Sequence, residues 1–350
     1  MILKGLSLFS GAGVGEYYLS DVGVDIICAN ELVKKRADLY KHIYPNCNVV
    51  AGDITDTAVF DNVISASHGI DFLLASPPCQ GMSIANKFKP ETGIDPRNLL
   101  FLKVVQAIEI LHPTFVIVEN VPSLLKIQLP FEGKQTEVLE ILKFKFSKDY
   151  QIDWAVVDAA NYGVPQKRLR AIIKMWKKGR SWSWPSIERP KKTVFDAIGH
   201  LPTLEAGQRT DVKWHFARPH TKCQIEAMKH TPTGHSAFEN PVFFPKKKDG
   251  TKVKGFNTTY RRMDWDKPCP TITMRNDAIS SQRNVHPGRL LPDGTYSDAR
   301  VLTPLELMLC DSLPADWRIP DETPEILIRQ VIGESIPPLL LRKLVEGIDR

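Results

Sequence analysis

Short apolar runs alternate with amphipathic stretches along the first half of the chain. The apolar runs predict buried strands at residues 6–9, 24–29, 48–51, 72–75, 115–118 and 171–173. Between them, helical spacing is clearest at residues 99–111 and 136–146. Strands that alternate with helices favour an α/β fold with a mostly parallel sheet and helices on both faces.

The composition changes near Trp176, where Pro, Lys, Trp and His become frequent, and the periodicity of apolar residues is weak until about Leu302. Helical patterns return at residues 305–309, 326–332 and 339–348. We expect the last helix to pack on the first domain. This predicts a discontinuous large domain, residues 1–177 and 320–350, and a smaller loop-rich, mixed β domain with hinge, residues 178–319. The run Lys246–Lys248 is read as a solvated loop.

The composition is that of a globular protein, with 43% hydrophobic and 25% charged residues in 350. The six cysteines form no Cys-x-x-Cys pair, so we expect reduced thiols and no metal site. No apolar run approaches the roughly 18–20 residues that cross a bilayer, and no signal peptide is expected. The net charge of +6 is modest, and a solvated basic surface explains it as well as nucleic acid does.

A glycine-rich segment follows the first predicted strand, Phe9-Ser10-Gly11-Ala12-Gly13-Val14-Gly15. Glu31 ends the second strand, where a carboxylate can accept hydrogen bonds from ribose hydroxyls. Asp53 follows the third, where it could receive an adenine amino group. The pattern indicates an adenosine-containing cofactor, although the spacing is not the dinucleotide G-x-G-x-x-G, and a purely structural turn is the alternative.

Two further strand ends carry chemistry. Ser76-Pro77-Pro78-Cys79-Gln80 presents a thiol on a backbone stiffened by two prolines, and the polar segment 81–98 could close over a substrate. Glu119 ends the next strong strand, so it should project near Cys79 as a proton donor. The alternatives are a small buried cysteine and a surface glutamate.

Together these segments closely resemble the cytosine-5 DNA methyltransferase family, of the bacterial restriction–modification type. The resemblance covers nearly the whole chain outside residues 176–259. It rests on an ordered series of motifs: residues 9–15, Glu31, Asp53, Pro77-Pro78-Cys79-Gln80, Glu119-Asn120-Val121, Gln166-Lys167-Arg168-Leu169-Arg170, residues 266–273 and Gly333-Glu334-Ser335-Ile336-Pro337-Pro338.

The resemblance implies a Rossmann-like, S-adenosylmethionine-dependent domain with a target-recognition domain. It implies that Cys79 is the nucleophile, that Glu119 contacts the ring nitrogen and amine of cytosine, that Arg170 contacts the base carbonyl and that Arg168 steadies the catalytic loop or backbone. The implied cofactor residues are Phe9, Gly11, Gly13, Gly15, Glu31, Asp53, Pro78, Leu99, Glu334 and Ser335. The implied DNA contacts are Gln80, Ser83, Arg262 and Thr273, the last to phosphate.

The implied reaction needs a cytosine that is rotated out of the duplex, because carbon 6 cannot be reached inside the stack. In the family, the region that corresponds to residues 176–259 reads the target sequence through the major groove. Candidate readers here are Arg209, Lys213, Arg218, Lys222, Gln224 and Asn257, and the sequence does not select among them.

Two positions depart from the family's pattern. Glu334 stands where the family usually has Asn, and Leu305 stands where it usually has Arg. We expect Glu334 to tune the fit of the cofactor, with a tolerated packing change as the alternative.

The resemblance further implies double-stranded DNA as the partner, a monomer, a cognate restriction endonuclease that acts separately, and a cytoplasmic, nucleoid-associated location in a bacterium. Three other functions remain open at this point: a tRNA cytosine-5 methyltransferase, a non-catalytic DNA-binding protein with this fold, and a dinucleotide-dependent dehydrogenase. Intact Cys79, Glu119 and Arg170 count against the second, and the glycine spacing against the third.

Overall fold

The computed structural model describes residues 2–78, 96–247 and 249–349, which form two compact units. Unit 1 contains the described residues of 1–158, 169–186 and 340–350, and unit 2 those of 159–168 and 187–339. Residues 320–339 therefore cluster with unit 2, whereas the predicted boundary placed them in the catalytic domain. Cys79, Gln80 and Ser83 lie outside the described residues.

Unit 1 is built on a seven-stranded sheet with the order β3-β2-β1-β4-β5-β9-β8. The first five strands are parallel, whereas β9 is antiparallel to β5 and β8. The strands are β1 Leu3–Leu8, β2 Val24–Glu31, β3 Asn48–Ala51, β4 Phe72–Ala75, β5 Phe115–Asn120, β8 Tyr150–Asp158 and β9 Leu169–Lys177, and a separate hairpin joins β6 Gln128–Phe131 to β7 Lys134–Glu137. The predicted α/β fold with a mostly parallel sheet is confirmed.

Unit 1 contains helices α1 Lys34–Ile43, α2 Thr57–Ala66, α3 Leu100–Leu111 and α4 Val138–Phe146. It also contains most of α9 Pro338–Glu346, whose first two residues are assigned to unit 2. Asp56 caps α2 by accepting hydrogen bonds from the amides of Ala58 and Val59. The predicted helix 136–146 begins two residues late, because residues 136 and 137 pair in β7. No helix in the described ranges is long and apolar enough to cross a membrane.

The order of the strands creates a switch point between β1 and β4. From β1 the chain moves outward through β2 and β3, and it then returns to place β4 on the other side of β1. Leu8 pairs with Ala75, and Ala75 pairs with Val118, so β1 and β4 end level with Val118, and β5 continues two residues further to Asn120. Open α/β sheets bind ligands at such a carboxyl edge.

The C-terminal segment is fastened to unit 1 through a lysine among tryptophans. Lys174 of β9 is fully buried, and its Nζ donates to the carbonyl oxygens of Trp182 and Ser183, both at 3.0 Å. The same Nζ lies 4.1 Å from the ring centre of Trp184. Burial lowers the pKa of Lys174 to about 8. The indole of Trp182 donates to the carbonyl oxygen of Leu344, which holds α9 against this segment.

Unit 2 contains α5 Val194–Ile198, α6 Lys222–Lys229, α7 Pro304–Cys310 and α8 Glu325–Glu334. In its described residues the β structure consists of isolated bridges, such as Thr259 with Gln282 and Arg262 with Val285. The unit is therefore loop-rich, as expected, and its predicted β component is limited to these bridges. Three of the helices, α5, α6 and α7, begin with a threonine capping box.

A buried charge cluster joins the loops of unit 2. Arg300 is fully buried and pairs with Asp298 at 2.8 Å and with Glu306 at 2.7 Å. Burial favours the neutral form of Glu306, but the charge of Arg300 outweighs it, aided by His286 and hydrogen bonds, and holds the pKa of this carboxyl at about 2. Glu306 also accepts the backbone N–H of Thr303, the N-cap of α7.

We predict that Glu306→Gln lowers the free energy of unfolding at pH 7 by about 3–5 kcal/mol, because it leaves Arg300 buried without its full partner. The native carboxyl has a depressed pKa, so its contribution is complete above about 4.5 and disappears as the pH falls toward about 2. Denaturant unfolding across this range should show the two proteins converging in acid. The exposed Glu322→Gln is the control, with a change within about 0.5 kcal/mol; a similar loss in both variants would contradict the prediction.

Candidate active site

The loop after β1 has an unusual backbone. Phe9, Gly11 and Gly13 all adopt left-handed conformations, with φ of 59°, 58° and 71°. Glycine adopts these values freely, whereas a phenylalanine there costs about 1–3 kcal/mol and is held in place by its surroundings. The amide of Ser10 donates to the carbonyl oxygen of Asn30, which ties the loop to the end of β2. The strain lies at Phe9, the first of the residues that the family resemblance assigns to the cofactor.

Two tyrosines of the α1 region explain why Gly13 cannot carry a side chain. A Cβ atom at Gly13 would overlap the rings of Tyr40 and Tyr44. The Tyr44 hydroxyl also donates to the carbonyl oxygen of Gly13 at 2.7 Å. The loop is therefore held in place at Gly13 by aromatic packing and one hydrogen bond.

Glu31 holds the glycine loop through its side-chain carboxylate. It is buried, one carboxylate oxygen accepts the amide of Gly11 at 2.9 Å, and the other accepts the amide of Val33 at 2.8 Å. Asp53 is exposed, and its Oδ1 accepts both the amide and the hydroxyl of Thr55. A carboxylate at the end of β2, another after β3 and an aromatic residue after β1, on neighbouring strands, fit an adenosine-containing group.

The other predicted cofactor residues divide between the units. Gly15 is buried at the start of a 3-10 helix, Pro78 is half-buried and Leu99 is 37% exposed, all in unit 1. Glu334 and Ser335 belong to unit 2. Glu334 is half-buried at the end of α8, and the Ser335 hydroxyl contacts Asp311 at 3.2 Å.

Glu16 is a buried acid under the glycine loop that the sequence analysis missed. The Ser7 hydroxyl donates to its carboxylate at 2.6 Å. Burial raises the pKa of Glu16 to about 7, and the hydrogen bond from Ser7 opposes that rise. An acidic residue directly after Gly15, in an otherwise apolar segment, was the available signal.

At the end of β5, Glu119 forms an ion pair with Arg170 of β9. Their Oε1 and Nε atoms are 2.6 Å apart, and both side chains are buried. Glu119 pairs with Ile172 in the antiparallel ladder of β5 and β9, and this register places Arg170, two residues before Ile172, close to Glu119. Arg170 also donates to its neighbour's carbonyl oxygen at Leu169. The ion pair fixes the carboxyl group at the same sheet edge as the β4 loop.

Asn120 links this edge to the segment that leads into Cys79. Its Nδ2 donates to the carbonyl oxygen of Pro77 at 2.8 Å, and its Oδ1 accepts the amide of Val121. Asn120 is buried. The Glu-Asn-Val motif alone predicts no role for Asn120, whereas its contact with Pro77 shows that it holds the backbone two residues before Cys79.

In unit 2, Arg168 is buried and donates to the carbonyl oxygens of Ile272 at 2.7 Å and Gly333 at 3.0 Å. It thus positions backbone in this unit, and its expected contact with the catalytic loop stays a prediction. Gln166 adds to this arrangement by donating to Asp311 at 2.7 Å and accepting the amide of Ile272.

The two departures from the family pattern have different surroundings. Leu305 is buried within α7, where an aliphatic side chain is suited to the core of unit 2. Gly333, beside Glu334, approaches the backbone of Thr273 so closely that a Cβ atom would overlap it. The role of Glu334 in cofactor fit stays a prediction.

The predicted DNA contacts have different environments. Thr273 is exposed. Arg262, in contrast, is 1% exposed and donates to the carbonyl oxygens of Met228, His286 and Asp298. Because its guanidinium is committed to the interior of unit 2, we do not retain Arg262 among the proposed DNA contacts.

Several candidate base readers are also engaged within unit 2. Lys213 pairs with Asp321 at 2.5 Å, Arg218 pairs with Glu325 at 3.1 Å, and Gln224 takes part in the capping box of α6. Arg209 lies over the ring of Phe216. Lys222 and Asn257 are exposed. The described residues contain no group of three or more His, Cys, Asp or Glu side chains placed to hold a metal ion.

Comparison with known proteins identifies the family. The profile of the C-5 cytosine-specific DNA methylases matches residues 3–350. This chain belongs to that family. It is 56% identical to the Type II methyltransferase M1.HgaI of Avibacterium volantium, over 99% of this chain and 98% of the relative. It is 30% identical to the Type II methyltransferase M1.HphI of Haemophilus parahaemolyticus, over 99% and 87%.

Solved structures agree on the fold. A protein described as a DNA modification methyltransferase encoded within a prophage (E. coli) has a TM-score of 0.72 at 21% identity, covering 99% of this chain and 98% of that one. The Entamoeba histolytica methyltransferase EhMeth has a TM-score of 0.64 at 15% identity, covering 99% and 98%. The predicted family and Rossmann-like methyltransferase fold are confirmed, and the chain is a C-5 cytosine DNA methyltransferase rather than a dehydrogenase.

We predict that Glu16→Gln stabilises the methyltransferase selectively at higher pH. The native carboxyl has a raised pKa, so its cost is absent below about 4.5 and grows until the pH reaches about 7. The variant should match the wild type near pH 4.5 and exceed its free energy of unfolding by up to about 3 kcal/mol above pH 7.

Urea unfolding at a series of pH values measures this difference. Ser7→Ala is the matched variant, because losing the hydroxyl removes a hydrogen bond that lowers the pKa of Glu16, so the fall in stability should continue to higher pH. A difference between Glu16→Gln and the wild type that does not change with pH would contradict the prediction.

Proposed function

We propose that this methyltransferase uses Cys79 as nucleophile and Glu119 as proton donor to methylate carbon 5 of a cytosine in double-stranded DNA. The observation that carries the proposal is the edge formed by β4 and β5. Arg170 fixes the Glu119 carboxyl there at 2.6 Å, and Asn120 holds Pro77, two residues before Cys79, at 2.8 Å.

The roles of these residues follow from the electronics of the ring. Carbon 5 of cytosine is too electron-poor to attack a methyl sulfonium directly. The Cys79 thiolate adds to carbon 6 and forms a carbon–sulfur bond, while Glu119 supports protonation of N3. Carbon 5 then has enamine character and would form a carbon–carbon bond to the methyl group as the sulfur–methyl bond of S-adenosylmethionine breaks and a neutral thioether leaves. A base removes the proton from carbon 5, and the thiolate leaves as the double bond re-forms.

S-adenosylmethionine supplies the methyl group when bound. Phe9, the glycine loop, Glu31 and Asp53 would hold its adenosine part, because they place a ring and two carboxylates at the carboxyl edge of β1–β3. Glu31 serves this role through the loop as well, since both of its oxygens accept backbone amides. Pro78, Leu99, Glu334 and Ser335 complete the proposed set.

We assign DNA binding to unit 2, with Thr273 as a phosphate contact, together with Gln80 and Ser83. Binding must offset the cost of unstacking the cytosine, which is about a few kcal/mol. We further propose that the enzyme works as a monomer in the bacterial cytoplasm, associated with the nucleoid, and protects one short site from a separate restriction endonuclease. Its similarity to two Type II methyltransferases supports this setting.

The nucleophile can be tested with duplex DNA that carries 5-fluorocytosine at the target position. Fluorine cannot leave as a proton does, so the Cys79 adduct should persist after methyl transfer and survive denaturing electrophoresis. Cys79→Ala should give no adduct and no methylation. Cys223→Ala, which removes an exposed thiol of unit 2, is the control. An adduct that persists in Cys79→Ala would overturn the assignment.

We predict that Glu119→Gln lowers kcat by about 10²–10⁴-fold, because the variant keeps hydrogen-bonding capacity but loses the acid. Affinity for S-adenosylmethionine should stay within a few-fold, since the cofactor residues are on other strands. Single-turnover methylation and isothermal titration measure the two effects. Equal losses in both would indicate a structural role for Glu119.

A further inference from the structure

An exposed turn of unit 2, residues 278–284, carries two side chains of the kinds that read base edges. Gln282 and Arg283 are exposed. Ile279 and Val285, on either side of them, are fully buried in the core of the unit. The two polar side chains therefore project from a turn whose flanks are anchored.

Hydrogen bonds fix the shape of the turn. The carbonyl oxygen of Ala278 accepts from the amide of Ser281 at 2.9 Å and from the Asn284 side chain at 2.8 Å. The amide of Arg283 donates to the carbonyl oxygen of Thr258 at 2.8 Å, and Gln282 forms a β-bridge with the next residue, 259. The turn is thus held within itself and against the neighbouring loop.

Arg283 combines a left-handed backbone with an exposed side chain. Its φ of 49° is left-handed, which is uncommon for a non-glycine residue and is concentrated at functional sites. No carboxylate in the described part of the chain pairs with its guanidinium. Arg218 and Lys213, in contrast, are both in ion pairs.

The turn lies beside the predicted phosphate contact. A small depression is lined in part by Thr273, Asn276, Gln282, Arg283 and Asn284. The Oδ1 atom of Asn284 is buried there and has no hydrogen-bond partner in the described structure. The exposed Thr273, Gln282 and Arg283 thus bring a hydroxyl, an amide and a guanidinium to the lining of one depression.

We propose that the 278–284 turn is a base-reading element, in which Arg283 reads a guanine and Gln282 reads an adjacent base in the major groove. The inference rests on the proposed function and specifies its recognition surface. Arginine forms a bidentate pair with O6 and N7 of guanine, and glutamine does so with N6 and N7 of adenine. A rigid turn presents such groups with little loss of conformational entropy on binding.

The alternative role for Arg283 is phosphate binding. A variant that keeps the positive charge but loses the planar guanidinium distinguishes this role from base reading. A phosphate contact needs a cation but carries no sequence information, whereas base reading needs the planar fork of arginine. Arg283→Lys keeps the charge and loses the fork. Arg283→Asn loses both, and asparagine tolerates the left-handed backbone, so this variant should fold.

The test expresses wild type, Arg283→Asn, Arg283→Lys and Gln282→Ala in cells without cytosine methylation and maps 5-methylcytosine by bisulfite sequencing. Arg318→Asn, a change at another exposed arginine of unit 2, is the control. We expect Arg283→Asn to lose roughly 5- to 150-fold of the discrimination at one guanine position. Arg283→Lys should relax the same position partially, Gln282→Ala should relax a neighbouring one, and the control should keep the wild-type site.

An unchanged site in all variants, or a weakening uniform over all sequences that Arg283→Lys restores, would overturn the inference and leave the proposed function intact. If folded Arg283→Asn methylates no DNA, the sites of Arg283→Lys and Gln282→Ala decide in the same way. Absence of DNA methylation by the folded wild type would instead overturn the proposed function itself.

Discussion

The parallel pairing of β1, β4 and β5 is the constraint on which the candidate site depends. Leu8, Ala75 and Val118 lie in register, so the segments that follow β1 and β4 leave the sheet beside the last residues of β5, Glu119 and Asn120. The amide of Ser76 donates to the carbonyl oxygen of Leu8, which extends this pairing into the loop before Cys79. The glycine loop, the segment 76–78 that precedes Cys79 and the Glu119 carboxyl group thus come to one edge of the sheet, where the side chains of Glu31, Asn120 and Arg170 hold them in place.

Three buried carboxyl groups at this end of unit 1 illustrate how partners decide chemistry. Glu31 is satisfied by backbone amides and therefore organises the glycine loop. Glu119 is paired with Arg170, which keeps its position at the end of β5. Glu16 accepts a hydrogen bond from the Ser7 hydroxyl, which lowers its pKa, but burial has the larger effect, so the pKa of Glu16 rises. The same functional group thus anchors a loop in Glu31, is fixed in place for its proposed catalytic role in Glu119, and makes stability depend on pH in Glu16.

Unit 2 shows why a basic composition is a poor guide to DNA contacts. Arg168, Arg262, Arg300 and Arg329 are all buried and bind carbonyl oxygens or carboxylates. In a unit rich in loops, many backbone carbonyls lack partners in helices or strands, and a guanidinium can satisfy several of them at once. Arg283, by contrast, is exposed and is in no ion pair within the described residues, which is why it is proposed as a DNA contact.

The sequence alone determined the class of fold, the family and most of the residues at the carboxyl edge, because strands, glycine turns and Pro-Pro-Cys and Glu-Asn-Val motifs are local patterns. It also located most strand cores, such as residues 72–75. Burial and pairing across long separations were decided only by the tertiary structure. These include the interior position of Arg262, the Asn120 contact with Pro77, the raised pKa of Glu16 and the strained Arg283. Such properties depend on which distant segments pack around a residue, and no local pattern encodes that.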